Sequence, residues 1–140
     1  MERFNSEGRQ RTETHAALRE YFGHDDFRPG QAAVVSAILS GRDVLAVRST
    51  GSGKSLCFQL PAVMSAGTTI VVSPLIALMR DQVEGLRRRG IDAAALTSAI
   101  GGSDRETLLQ RLGTAPPGLV YVSPEGLATR AGLSLSLIHI

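Results

Sequence analysis

Arg48-Ser49-Thr50-Gly51-Ser52-Gly53-Lys54-Ser55 constrains this chain more than any other stretch. Ahead of it stands Asp43-Val44-Leu45-Ala46-Val47, apolar and of strand length. Behind it Leu56-Cys57-Phe58-Gln59-Leu60 is apolar with a helical drift. Strand, glycine-rich turn, Gly-Lys-Ser and helix is the layout of a phosphate-binding loop. Gly51 and Gly53 allow the backbone to curl with its N–H groups inward, toward a polyphosphate at a helix N-terminus. Lys54 reaches the β- and γ-phosphates, and the Ser55 hydroxyl ligates Mg²⁺. The bland alternative is an ordinary Gly/Ser turn, against which the flanking strand and helix argue. One departure stands out. The strict pattern asks for a small residue five positions before Gly53, and Arg48 is there. Thr50-Gly51-Ser52-Gly53-Lys54-Ser55 is intact.

A chain of 140 residues buries roughly two-thirds of its unfolded surface, enough for one domain. Its 43% hydrophobic and 20% charged residues belong to neither a disordered nor a membrane chain. No apolar run reaches spanning length and the charged N-terminus is no signal peptide, so a cytoplasmic address is expected. The single Cys57 excludes an internal disulfide and reads as packing. A net charge of +2 names no partner. Of the 15 basic residues Lys54 is the sole lysine, which suggests that lysine is required at that position. Arg87-Arg88-Arg89 reads as a solvated helix end.

Residues 1–11 show no apolar periodicity and are expected to be disordered. Thr12 or Thr14 caps a first helix that stops near Phe22-Gly23. Pro29 opens a second helix with Val34, Val35, Ile38 and Leu39 on one face. Gln31, just inside it, is either part of a helix-start turn or a reader of a purine edge, and spacing alone favours the turn. Pro61 is expected to bend or shorten the third helix. Thr68–Val72 reads as a strand buried on both faces. Ser73 then caps a helix with Pro74 first, whose inward face carries Leu75, Leu78, Met79, Gln82, Val83 and Leu86. Asp92–Thr97 is a third strand, Ser103-Asp104-Arg105-Glu106 a capping box, and Leu119–Val122 a fourth strand.

Strands alternating with helices predict an α/β fold with a parallel sheet, one domain without linker or repeats. Ligands in such sheets sit at the carboxyl ends of strands. Those ends are Arg48-Ser49-Thr50, Ser73-Pro74, Thr97-Ser98 and Ser123-Pro124, each with a hydroxyl. One holds a nucleotide triphosphate, and the others suit a nucleic-acid backbone or are simply helix caps.

Four blocks, in order, resemble RecQ-type DNA helicases over about residues 15–130. They are Phe22-Gly23 with Phe27-Arg28-Pro29-Gly30-Gln31, the stretch Thr50–Ala62, the stretch Val71–Val83, and Tyr121-Val122-Ser123-Pro124-Glu125. The resemblance implies a P-loop NTPase with the first RecA-like lobe of an ATP-dependent 3′–5′ helicase acting on single-stranded and duplex DNA in repair and recombination. It implies ATP and Mg²⁺ as cofactors, catalytic roles for Lys54 and Ser55, and a bacterial, nucleoid-associated location. It assigns His24, Arg28 and Gln31 to the adenine, overturning the bland reading of Gln31. Ser73-Pro74-Leu75 and Ser123-Pro124-Glu125 are assigned to the DNA-facing side, which Thr97 and Ser98 join by their place on the rim. Arg48-Ser49 departs from the apolar residue and proline usual there.

No Asp-Glu-Ala-His box stands in the sequence, so the lobe is expected to be incomplete, truncated before the acidic Walker B-type box, over residues 12–134. In RecA-like sheets the strand beside the phosphate-loop strand follows that box and is likewise missing. Two alternatives are a different phosphate-loop enzyme, such as a small kinase, and a catalytically inert nucleotide-binding fragment. Phe27–Gln31 argues against the first. The stretch Leu135-Ser136-Leu137-Ile138-His139-Ile140 loses the family pattern and resembles a translated sequencing-library adaptor. It is read as non-native, and His139 receives no role.

Overall fold

The computed structural model describes residues 2–128, and the expected non-native tail lies outside them. The chain divides into two compact units, Met1–Ser65 and Ala66–Ile140. The first is helical: α1 (Glu2–Phe22), α2 (Gln31–Leu39) and α3 (Lys54–Met64). Leu18, Val35 and Leu60 are fully buried within it, with Phe22, Cys57 and Ala62 nearly so. Burying each large apolar side chain contributes about 1.5–3 kcal/mol.

Several expectations for this unit are corrected. Helix α1 begins at Glu2, so it runs through a stretch expected to be disordered. Arg9, Gln10 and Arg11 in that stretch favour helix by propensity, and the apolar side chains that α1 buries, Ala17, Leu18 and Phe22, lie further along. Thr12 and Thr14 are therefore not caps. Their hydroxyls donate back one turn, to the carbonyls of Gly8 and Gln10. Helix α2 starts at Gln31 with Gly30 as its N-cap at φ 80°, and Pro29 lies in the turn before it. Pro61 sits inside α3, which continues to Met64 and is not shortened.

The largest correction concerns Asp43–Val47, which forms no strand. Leu45 and Val47 are 92% and 89% exposed. A strand needs a neighbour whose N–H and C=O groups complete its ladder, and among the described residues none pairs here.

The second unit holds a three-stranded parallel sheet: β1 (Thr69–Val72), β2 (Ala93–Leu96) and β3 (Leu119–Val122), in the order β1-β3-β2. Helices α4 (Ile76–Arg88) and α5 (Gly102–Thr114) make the crossovers, and α6 (Pro124–Leu127) follows β3. Register is in step, Thr69 and Ala93 both opposite Leu119, and Val72 and Leu96 opposite Val122. Central β3 is buried at every position. Its Val120 and Val122 pack with Ala94, Leu96, Leu108 and Leu112 in one core.

Strand positions here agree with the sequence, but Thr69–Val72 is only half-buried, with Val72 52% exposed, and not buried on both faces as expected, and two helix starts also differ. Helix α4 begins at Ile76, with Leu75 as N-cap, and not at Pro74. The Ser73 hydroxyl accepts from Leu75 N at 3.3 Å, holding a turn in place of a cap. Met79, Val83 and Leu86 face inward as expected, while Leu75 and Leu78 are exposed. Helix α5 begins at Gly102, so Ser103 lies inside it and no capping box forms. Ser123 does cap α6, accepting from Gly126 N at 3.1 Å. Arg87, Arg88 and Arg89 end α4 at the surface.

Candidate nucleotide-binding site

Four side chains converge on the glycine-rich loop of the first unit. Gln31 is 2% exposed. Its Oε1 accepts from Arg28 N at 2.8 Å, and its Nε2 donates to Gly53 O at 3.0 Å. The Arg28 guanidinium donates to Gly51 O at 2.8 Å. Arg48 Nη2 donates to Pro29 O at 2.8 Å and to Ser52 O at 3.2 Å, and its Nε to Ser52 Oγ at 3.3 Å. Lys54 Nζ donates to Arg48 O at 3.1 Å and Ser49 O at 3.2 Å.

Most of these bonds draw a backbone carbonyl of the loop, or of the turn before α2, toward a side-chain donor and tighten the curl ahead of α3. The first N–H groups of any helix have no partner within it, and here they follow Gly53, which stands at φ 77° as N-cap. A side chain at 53 would be strained there and would also collide with Gln31, whose Nε2 lies 2.4 Å from the place a Cβ would take. The left-handed φ favours glycine, and any Cβ would displace the Gln31 amide from its bond to Gly53 O. An 11-residue helix with Lys54 at its head and Ser55 beside it is a donor set suited to a polyphosphate and its Mg²⁺.

The structure thus brings Arg28, Gln31, Gly51, Ser52, Gly53 and Lys54 together, with Thr50 exposed in the same loop. His24 is exposed on the connector before them. Gln31 has spent one hydrogen and one lone pair on the protein, and an amide keeps one more of each. Sequence reasoning noticed Arg48 only as a flaw in the motif. Its part in joining the loop to the Pro29 turn was missed, although that departure was itself the signal. Cys57, one turn into α3, is free and buried. Burial pushes its thiol pKa up, and the Arg48 charge partly opposes that.

The rim residues of the second unit lie at the carboxyl ends of β1, β2 and β3. Pro74, Leu75, Ser98, Pro124 and Glu125 are exposed, and Ser73 is half-buried. Thr97 and Ser123 are buried, at 4% and 2% exposure. The Ser73 and Ser123 hydroxyls are both engaged by backbone N–H groups, Ser123 as the cap of α6 and Ser73 in the turn before α4.

Residues 28–136 match the family model described as DEAD/DEAH box helicase. The chain is 50% identical over 111 residues to the ATP-dependent DNA helicase RecQ of Synechocystis sp., covering 79% of this chain and 23% of that protein. It is 42% identical over 120 residues to the ATP-dependent DNA helicase RecQ of Haemophilus influenzae, covering 86% and 19%. To the probable ATP-dependent DNA helicase RecS of Bacillus subtilis it is 42% identical over 117 residues, covering 83% and 23%. The chain therefore spans only 19% to 23% of the length of these relatives.

Proposed function

Because this chain belongs to the DEAD/DEAH box helicase family, we propose that its Arg48–Ser55 loop binds ATP with Mg²⁺ as part of a RecQ-type DNA helicase. In that protein the bound nucleotide drives 3′–5′ movement on single-stranded DNA and duplex unwinding, in repair and recombination. The work is nucleoid-associated and cytoplasmic.

The observation that carries this reading is the position of Lys54. Its ammonium is held between two loop carbonyls at the head of α3, where a polyphosphate meets helix N–H groups, a partial positive charge and a full one together. Ser55 supplies the hydroxyl for the metal, and the remaining edge of Gln31 with the Arg28 plane takes the adenine. Along the rim, the exposed Pro74, Leu75, Ser98, Pro124 and Glu125 take the DNA strand, joined by Ser73, while Thr97 and Ser123 shape that edge from beneath.

Titration calorimetry with Mg-ATP tests the site. Lys54→Ala is expected to weaken binding by about ten- to a hundredfold, the range for losing a charge-assisted partner. Equal affinity in the two proteins overturns the assignment.

A further inference from the structure

The nucleotide reading gives roles to Lys54, Ser55, Arg28 and Gln31 but none to Arg48. We propose that Arg48 is a positioning residue for the bound nucleotide: its guanidinium ties the turn carrying Arg28 and Gln31 to the phosphate loop, so that base and polyphosphate are received by one unit. This rests on the nucleotide reading and adds to it a residue that makes the two halves of the site act together.

The bonding is bipartite. One nitrogen, Nη2, reaches Pro29 O on the turn and Ser52 O on the loop, while Nε reaches Ser52 Oγ. The remaining nitrogen, Nη1, lies 2.7 Å from where a Cβ on Gly30 would stand. The guanidinium therefore rests on the bare backbone at Gly30, which opens α2 one residue before Gln31. The planar fork holds these three oxygens with two nitrogens in one fixed geometry, whereas a lysine ammonium is a single donor on a flexible stem that cannot keep all three.

Among the described residues no carboxylate pairs with Arg48. Its partners are neutral oxygens, so its charge is not neutralised locally. That charge reaches the first turn of α3, where it lowers the Cys57 pKa against the effect of burial. Arg48 thus offers a polyphosphate two separable things, a positive charge and a fixed distance to the base-reading turn. The second is the positioning role. Joining two weak sub-sites rigidly raises affinity for a ligand that spans both and leaves a ligand of one sub-site little changed.

The test uses the whole chain with Arg48→Lys and Arg48→Met, and two ligands, Mg-ATP and inorganic tripolyphosphate with Mg²⁺. Hydrogen exchange without ligand comes first. Arg48→Met should exchange faster in residues 28–33 and in residues 49–53 together, with other segments unchanged. Calorimetry follows. Arg48→Met should weaken ATP by about tenfold and tripolyphosphate by about threefold or less. Arg48→Lys should restore tripolyphosphate binding and leave ATP weakened, because charge returns without the fork. Equal losses for the two ligands in Arg48→Met, or full rescue of ATP by lysine, overturn the positioning role in favour of charge alone. Unchanged exchange at residues 28–33 overturns the tether itself. If the unmodified chain binds neither ligand, the nucleotide reading falls and takes Arg48's role toward nucleotide with it, while exchange still decides whether the tether exists.

Discussion

Two stretches of similar apolar character have opposite fates in this molecule. Thr69–Val72 is laddered onto β3, with Thr69 N donating to Gly118 O at 2.8 Å and Ser73 N to Val122 O at 3.1 Å. Asp43–Val47 forms no strand, has no ladder partner among the described residues and is exposed throughout. Composition is not what separates them. A β-branched run becomes a strand when a neighbour completes its hydrogen bonds and covers a face, and sheet propensity is mostly a measure of that fit. The second unit supplies such a neighbour in β3. The first is ordered by other means, with Gln31, Arg28, Arg48 and Lys54 donating to carbonyls of its loop. One region is held by apolar burial on a ladder, the other by polar side chains on a loop.

That contrast breaks most visibly at the centre of the sheet. Leu119 is fully buried and opens β3, which pairs on both sides. Leu119→Ala should destabilise the second unit by about 2–5 kcal/mol, the range for a buried leucine truncated beside neighbours that cannot collapse. Urea unfolding followed by circular dichroism reads it. A loss under 1 kcal/mol would say that the sheet is less closely packed than its burial implies.

Gln31→Ala attacks the other region through hydrogen bonding. Arg28 N and Gly53 O would both lose their side-chain partner, at a cost of about 0.5–1.5 kcal/mol for each hydrogen bond lost in a partly buried place. The same change should shrink any preference for ATP over GTP, since an amide can donate to and accept from adenine. Lost stability with an unchanged ATP/GTP ratio would make Gln31 a loop support alone.

Cys57 sharpens the contrast more gently. Burial raises its pKa above the ordinary value of 9.0. Below that ordinary value the thiol is protonated in both folded and unfolded chains, and its contribution to stability is fully present. As pH rises past it the unfolded chain loses its proton first, so stability declines until the folded thiol ionises as well. Alkylation by iodoacetamide at pH about 9 should therefore be slow in the native chain and fast in urea. Equal rates would place Cys57 at the surface and remove it from the core of the first unit.

What the sequence disclosed follows the same division. The strands of the second unit were legible because β-branched runs such as Thr69–Val72, and the short run ending in Ser123-Pro124, sit between clear stop signals. The Ser123 cap stood in the sequence only as one of two readings of the rim hydroxyls, the other being contact with a nucleic-acid backbone. Helix starts were not legible, because Ser73 and Ser103 carry the right side chain for a cap while the actual caps stand two residues later and two residues earlier. In the first unit the loop residues were readable from their spacing. Their wiring was not, since the bonds of Arg48 to Pro29 and of Gln31 to Gly53 span 19 and 22 residues. Tertiary proximity of that kind leaves no local period. The expected strand at Asp43–Val47 failed for a related reason: a strand is a property of two segments, and only one of them was being read.

The smallest expected effect tests that failure directly. Leu45 is 92% exposed within an unpaired stretch, so its side chain gives up little apolar area on folding. Leu45→Ser should change stability by no more than about 0.5 kcal/mol, as at a surface position without special geometry. The same substitution at a strand position such as Leu96, which is fully buried, removes a core side chain and adds a hydroxyl that needs a partner. The two variants bracket the difference between a residue of strand composition and a residue in a strand. Paired urea titrations of Leu45→Ser and Leu96→Ser, with the slopes compared, make the measurement. If Leu45→Ser instead costs more than about 2 kcal/mol, Leu45 is covered in solution, and residues 43–47 find a partner that the structure does not display.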